Sequence, residues 1–159
     1  GDGNDTIDAS NTTAVSELSG GNGDDIIYGA QEYTQSLHGG AGDDIHIGGE
    51  GRDTIKGYDG ADTIIGGEGA DQLTGDSGSD VFTFEGLSDS MFETGVDTIT
   101  DFSQGEDLID LSALGYESLS DISISTDSGN TVITGVNDGF KLELEEELAL
   151  QNSDFVWAS

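Results

Sequence analysis

The sequence has no cysteine and no proline, and only 3 lysines and arginines stand against 34 aspartates and glutamates in 159 residues. Without cysteine there is no disulfide framework and no thiol chemistry, so an extracellular fold of this size needs another staple. A net charge of -31 makes nucleic acid and anionic membranes poor partners and cations the obvious ones. No apolar stretch is long enough to span a bilayer. So large a charge with 33% hydrophobic residues lies near the disordered class, so the chain should fold poorly until its carboxylates are neutralised. HExxH and GxSxG are absent as well, and no catalytic residue is expected among the many carboxylates.

Glycine is abundant, at 26 residues, and over residues 39–83 it recurs in register. Five nonapeptides, GGAGDDIHI, GGEGRDTIK, GYDGADTII, GGEGADQLT and GDSGSDVFT, obey one formula, G-G-x-G-x-D-x-U-x, with U a large apolar residue. Glycines let the first half of each repeat turn and pass close to an ion with no Cβ in the way. The Asp at the sixth position supplies a hard oxygen donor suited to calcium. The last three residues should form a short strand, with its middle side chain (Ile55, Ile64, Leu73, Phe82) pointing inward. Two such half-turns make one coil.

Upstream, residues 1–8 match the second to ninth positions of a repeat, and 20–28 match a whole one. Because Gly1 already falls inside a repeat, the chain reads as a piece of a longer protein. Residues 9–19 and 29–38 are irregular, yet each has an apolar residue one place before its end, Leu18 and Leu37. They are expected to be half-turns that kept the strand and lost the ion loop. If half-turns alternate between two edges, both irregular ones share an edge. The intact edge then stacks Asp5, Asp25, Asp44, Asp62 and Asp80, and the other carries Asp53 and Asp71. Asp89, 18 residues after Asp71, keeps the same register. Coils lie roughly 4.8 Å apart, where two carboxylates repel by about 0.9 kcal/mol in water and several-fold more at lower dielectric. A divalent ion between each pair resolves this, and no lysine is placed to do so instead.

Two residues depart from the formula. His46 takes an inward position between Ile45 and Ile47. Since the only other histidine, His38, sits outward, His46 is expected to be a neutral, hydrogen-bonded core residue rather than a metal ligand. Tyr58, standing where the formula has glycine, is expected to be an exposed turn residue. Past Thr83 the formula stops. Residues 96–102 and 107–111 alternate like half-buried strands, 112–120 could form a short helix, and 121–125 and 130–134 flank a turn at 126–129. The division expected is a roll over 1–83 and a β-rich cap over 84–159 that covers the last coil.

The nonapeptides, followed by GSDVFTF, SDS and VDTITDFSQGEDLIDLSALG, resemble the calcium-binding C-terminal region of RTX (repeat-in-toxin) proteins. This region is shared by serralysin-type proteases, RTX lipases and the R-modules of mannuronan epimerases. The resemblance implies an all-β, right-handed parallel β-roll. The ending SDFVW is similar to those read by type I secretion exporters. In that family, carbonyls and the Asp of one half-turn share an ion with those of the next on the same edge. Carried over, Gly1, Gly3 and Asp5 pair with Gly20, Asn22 and Asp25, and Gly21, Gly23 and Asp25 with Gly39, Ala41 and Asp44. Gly40, Gly42 and Asp44 pair with Gly57, Asp59 and Asp62, and Tyr58, Gly60 and Asp62 with Gly75, Ser77 and Asp80. On the other edge Gly49, Gly51 and Asp53 meet Gly66, Glu68 and Asp71, while Gly67, Gly69 and Asp71 meet Phe84, Gly86 and Asp89. About six calcium ions with six oxygen ligands each are implied, and none in the irregular half-turns. The function implied is a non-catalytic calcium-folded module of a secreted extracellular protein. It would be exported by a type I exporter and would stabilise or position an upstream domain. The alternative is a module that binds a polysaccharide such as alginate.

Overall fold

Through the repeats consecutive strands do not pair with each other; each pairs with the strand two places on. The computed structural model describes residues 1–13, 16–91 and 95–159, so parts of the irregular stretch 9–19 and of the loop preceding Gly95 lie outside the described residues. Strands β1 (Thr6–Asp8), β3 (Ile26–Tyr28), β5 (Ile45–Gly49), β7 (Thr63–Gly67) and β9 (Val81–Thr83) stack in parallel in one sheet. The facing sheet stacks β2 (Glu17–Asn22), β4 (Ser36–Ala41), β6 (Thr54–Asp59) and β8 (Gln72–Ser77). The result is an all-β parallel solenoid in which the two loop edges alternate. The loops that lead into β2 and β4 are the irregular ones, and they lie on one edge.

Neither sheet breaks at Thr83. The first continues through β11 (Leu108–Asp110) to β15 (Phe155–Val156), both parallel. The second continues through β10 (Asp97–Ile99), parallel to β8. It then runs through β14 (Lys141–Leu144) to the antiparallel pair β13 (Asn130–Gly135) and β12 (Ile122–Asp127). The expected helix at 112–120 is two single-turn 3-10 segments, Ser112–Leu114 and Leu119–Asp121. The hairpin turns on Ser128 and Gly129, with φ of 55° and 94°, the pairing that matches strand twist.

Side-chain alternation puts one residue per strand into a core between the sheets. Ile27, His46, Ile64, Phe82 and Ile109 form one column, and Leu37, Ile55, Leu73 and Ile99 the other, all fully buried. Leu18 joins the second column, so the irregular half-turns keep their strands. Beyond the repeats the core turns aromatic, with Phe84 and Tyr116 packed edge-on against Phe140 at 5.5 and 6.1 Å.

The strands of the second sheet are longer than the three residues expected. Thus β4 runs on through the first three residues of the next repeat. The first glycine of a repeat therefore stays extended, and it is glycine because a carboxylate occupies the room of a side chain. A Cβ on Gly57 would stand 1.9 Å from Oδ2 of Asp62. The turn begins at the second position, where φ is positive even when the residue is not glycine: Tyr58 has φ 79° and Asp76 φ 65°.

Candidate metal centre

Each repeat ends its loop on the aspartate, whose backbone enters the strand while its carboxylate folds back under the loop. On the intact edge these aspartates are chained. The N–H of Asp5 donates to Oδ1 of Asp25 at 2.7 Å, Asp25 to Asp44 at 2.7 Å, Asp44 to Asp62 at 2.8 Å, and Asp62 to Asp80 at 2.9 Å. The chain then goes one rung further, from Asp80 to Asp107 at 3.0 Å. On the other edge Asp53 donates to Asp71 at 2.8 Å and Asp71 to Asp97 at 2.9 Å.

The Oδ1 of each receiving aspartate is thus used; at Asp107 Oδ2 is used as well, by the N–H of Ser103 at 2.8 Å, but at the other buried rungs it is left over. Oδ2 of Asp25, Asp44, Asp53, Asp62, Asp71, Asp80 and Asp97 is buried with no hydrogen-bond partner. Leaving such a group unpaired costs about 1–3 kcal/mol, more when charged. Within the repeats each orphan oxygen lies against a glycine that opens a repeat. A Cβ on Gly20, Gly39, Gly66 or Gly75 would stand 2.1, 2.2, 2.5 or 2.1 Å from the Oδ2 of Asp25, Asp44, Asp71 or Asp80. Backbone carbonyls reach the same space: a Cβ on Gly39, Gly48 or Gly57 would also stand 2.8, 2.3 or 2.8 Å from the carbonyl of Gly57, Gly66 or Gly75. Buried anionic oxygens in a cradle of carbonyls fit a hard cation such as calcium. These residues would hold it, and its charge would offset their mutual repulsion.

The titration of the ladder shows the same need. Burial pushes Asp53 and Asp80 up to about 6, Asp62 and Asp71 to about 7, and Asp97 to about 9. Neighbouring carboxylates, such as Asp80 and Asp44 around Asp62 and Asp71 beside Asp97, raise them further. Asp44 and Asp107 move the same way, burial leading. Arg52 offsets part of the rise at Asp71; without a bound cation, protons supply the remaining counter-charge.

A scan against protein families matches the RTX calcium-binding nonapeptide repeat over residues 17–32, 36–54 and 47–82. The solution structure of the AlgE6R3 subunit of the Azotobacter vinelandii mannuronan C5-epimerase superposes with a TM-score of 0.65 at 32% identity, covering 82% of this chain and 81% of that one. The chain belongs to the RTX calcium-binding repeat family. A second subunit of that epimerase, AlgE6R2, is 27% identical with a TM-score of 0.57 over 96% of the RTX module and 98% of its own chain. Mannuronan C5-epimerase AlgE5 of the same organism is 79% identical over 28 residues, which are 18% of the module and 3% of that protein.

Two rungs escaped the sequence reading, Asp97 and Asp107. Both stand in the second half of the formula, Gly95-Val96-Asp97-Thr98-Ile99-Thr100 and Gly105-Glu106-Asp107-Leu108-Ile109-Asp110. A search for G-x-D-x-U-x alone would have found them. Longer excursions separate them from their predecessors, 26 and 27 residues instead of 18. The rung after Asp71 is therefore Asp97 and not Asp89. Likewise Gly95, rather than Gly86, stacks on Gly69, where its Cβ would stand 2.1 Å from the Gly69 carbonyl. Asp89 lies beside the ladder. Its Oδ2 accepts the N–H groups of Glu85 and Gly86, and its charge raises both Asp71 and Asp97. Phe84 is a core residue packed on Phe140.

At the irregular half-turn the place before Asp53 is held by Gln35. Its N–H donates to Oδ1 of Asp53, its Oε1 accepts from Ala30, and its Nε2 donates to the carbonyls of Ala30 and Tyr33. A neutral amide closes that loop. His46 is buried and neutral, pushed down to about 4 by burial, but neither ring nitrogen has a hydrogen-bond partner. The expected hydrogen bond is absent, although carboxylate oxygens of Asp44 and Asp62 lie within 4.8 Å. Tyr58 is exposed, and its hydroxyl meets Nδ1 of His38 at 3.3 Å.

Proposed function

We propose that the module is a non-catalytic, calcium-folded unit of a secreted bacterial protein that stabilises or positions the domain preceding it. The observation that carries this reading is the row of buried, unpartnered Oδ2 atoms. The rungs are joined by hydrogen bonds from backbone to carboxylate yet left incomplete in charge, so the fold's stability is handed to an external cation. One ion belongs between each linked pair of aspartates. The Asp80 and Asp107 pair adds a place to the six read from the sequence, and the Asp71 ion is shared with Asp97, with Asp89 beside it. Affinities of extracellular calcium modules, roughly 10⁻⁴ to 10⁻³ M, keep such a chain unfolded in the cytosol, ready for type I export, and folded outside.

Circular dichroism against free calcium, with ion stoichiometry by calorimetry, tests this. The chain should lose its β signal in chelator and regain it near millimolar calcium. A chain fully folded in chelator would refute it. Asp97→Ala should remove about one ion, and Asp89→Ala should cost less.

Binding of a mannuronan-type polysaccharide is a second reading. It is favoured by the likeness to epimerase subunits and by a groove on the outer face of the second sheet, where His38 and Tyr58 lie 5.8 Å apart among Glu17, Asn22 and Asp59. The acidic rim requires calcium to bridge an anionic polymer. Titrating alginate oligomers in calcium buffer should perturb the His38 and Tyr58 resonances if the groove is used.

A further inference from the structure

One rung differs from all the others in chemistry. The inward residue two places after the aspartate is Ile27 after Asp25, Ile64 after Asp62, Leu73 after Asp71 and Phe82 after Asp80, but it is His46 after Asp44. The imidazole is fully buried and both its nitrogens lack partners. Ligand atoms of Asp44, His46 and Asp62 all lie within 4.8 Å of one another. Those of Asp44 and His46 converge over Gly39, and Oδ2 of Asp62 lies against Gly57, the first glycine of the next repeat on that edge. The point where a Cβ of Gly39 would stand is 2.2 Å from Oδ2 of Asp44, 2.8 Å from Nε2 of His46 and 2.8 Å from the Gly57 carbonyl.

We infer that His46 turns the cation place between Asp44 and Asp62 into a mixed nitrogen and oxygen site that takes a borderline first-row divalent ion, zinc above all, in preference to calcium. Calcium is served by oxygen ligands alone and draws little from an imidazole. Zinc binds histidine nitrogen and carboxylate oxygen together in small coordination shells. Two carboxylates from successive rungs and one imidazole supply such a set, and the glycine leaves room for the ion. The aspartates at the other rungs are followed by apolar side chains, so selectivity is confined to this one. The inference rests on reading the rungs as cation sites, but it can fail while calcium-driven folding stands.

The test uses the full chain in saturating calcium with zinc chloride as the probe. Calorimetry should show one zinc bound despite excess calcium, and nitrogen NMR should show the His46 ring shifted by metal coordination. His46→Leu places there the kind of residue other rungs carry. It should keep calcium-dependent folding and lose zinc affinity by about tenfold or more, whereas His38→Ala should change zinc binding little. Zinc affinity unchanged in His46→Leu, or zinc shifting only the His38 ring, would overturn the inference. The ring shift in the unsubstituted chain decides the matter if His46→Leu fails to fold.

Discussion

Aspartates do opposite work in the two halves of this module. After the last rung, Asp107, they close their own surroundings: Asp121 accepts the N–H groups of Glu117 and Ser118 through Oδ2, Asp154 those of Gln151 and the Gln104 side chain, and Asp138 the Tyr116 hydroxyl. In the repeats each buried aspartate spends one oxygen on the neighbouring rung and leaves the other without a partner. The C-terminal region is finished by aromatic packing and local hydrogen bonds, while the roll waits for something outside the polypeptide. The same residue type thus marks a self-sufficient turn in one place and a borrowed one in the other. Gln35 shows the boundary case, a rung position closed by an amide instead of an ion.

The sharpest way to break this comparison is to injure each region once and ask whether calcium compensates. Phe140→Ala should cost about 3–5 kcal/mol at saturating calcium, and more calcium should not restore the stability. Asp62→Ala should instead raise the calcium midpoint of folding, because Asp62 links to a rung on each side. Asp5→Ala, at the frayed end of the ladder, should raise it less. Equal midpoints for the two aspartate variants, measured by circular dichroism, would remove the ladder from the account.

A pH series gives a smaller effect. Burial lifts Asp53, Asp62, Asp71, Asp80 and Asp97 above the ordinary carboxylate value, to between about 6 and about 9. The ion-free fold therefore holds more protons than the unfolded chain from near pH 4 upward, and it loses stability as pH rises through that range. With calcium present the order reverses, because ions must displace those protons. The calcium midpoint should rise as pH is lowered from 8 to 5, while chelated protein should gain β structure near pH 4. A midpoint independent of pH would mean that the carboxylates are ionised without the ion.

The smallest expected change is at Tyr58. Its positive φ of 79° costs roughly 1–2 kcal/mol for a side chain with a Cβ, so Tyr58→Gly should stabilise the loop by up to about that amount, less the loss of the His38 contact. Thermal melting in calcium measures it. A destabilised variant would show that the ring against His38 outweighs the strain.

Much of this protein was legible in its sequence because the repeat is local and strict. Nine residues specify a turn, a donor and an inward side chain, and identical units can bury their apolar faces only by stacking. That reasoning reached the alternating edges, the ladder from Asp5 to Asp80, and the strands kept at Leu18 and Leu37. What lies at the ends of long excursions was not legible. Asp97 follows Asp71 by 26 residues and Asp107 follows Asp80 by 27, so sequence distance stops measuring rung distance. Only sheet pairing, Thr98 with Gln72 and Leu108 with Val81, decides that Asp97 and Asp107 continue the ladders. Nor does the formula say what a histidine meets in the core. The tertiary structure sets Asp44, His46 and Asp62 within 4.8 Å, because one belongs to the next coil and only stacking brings coils together.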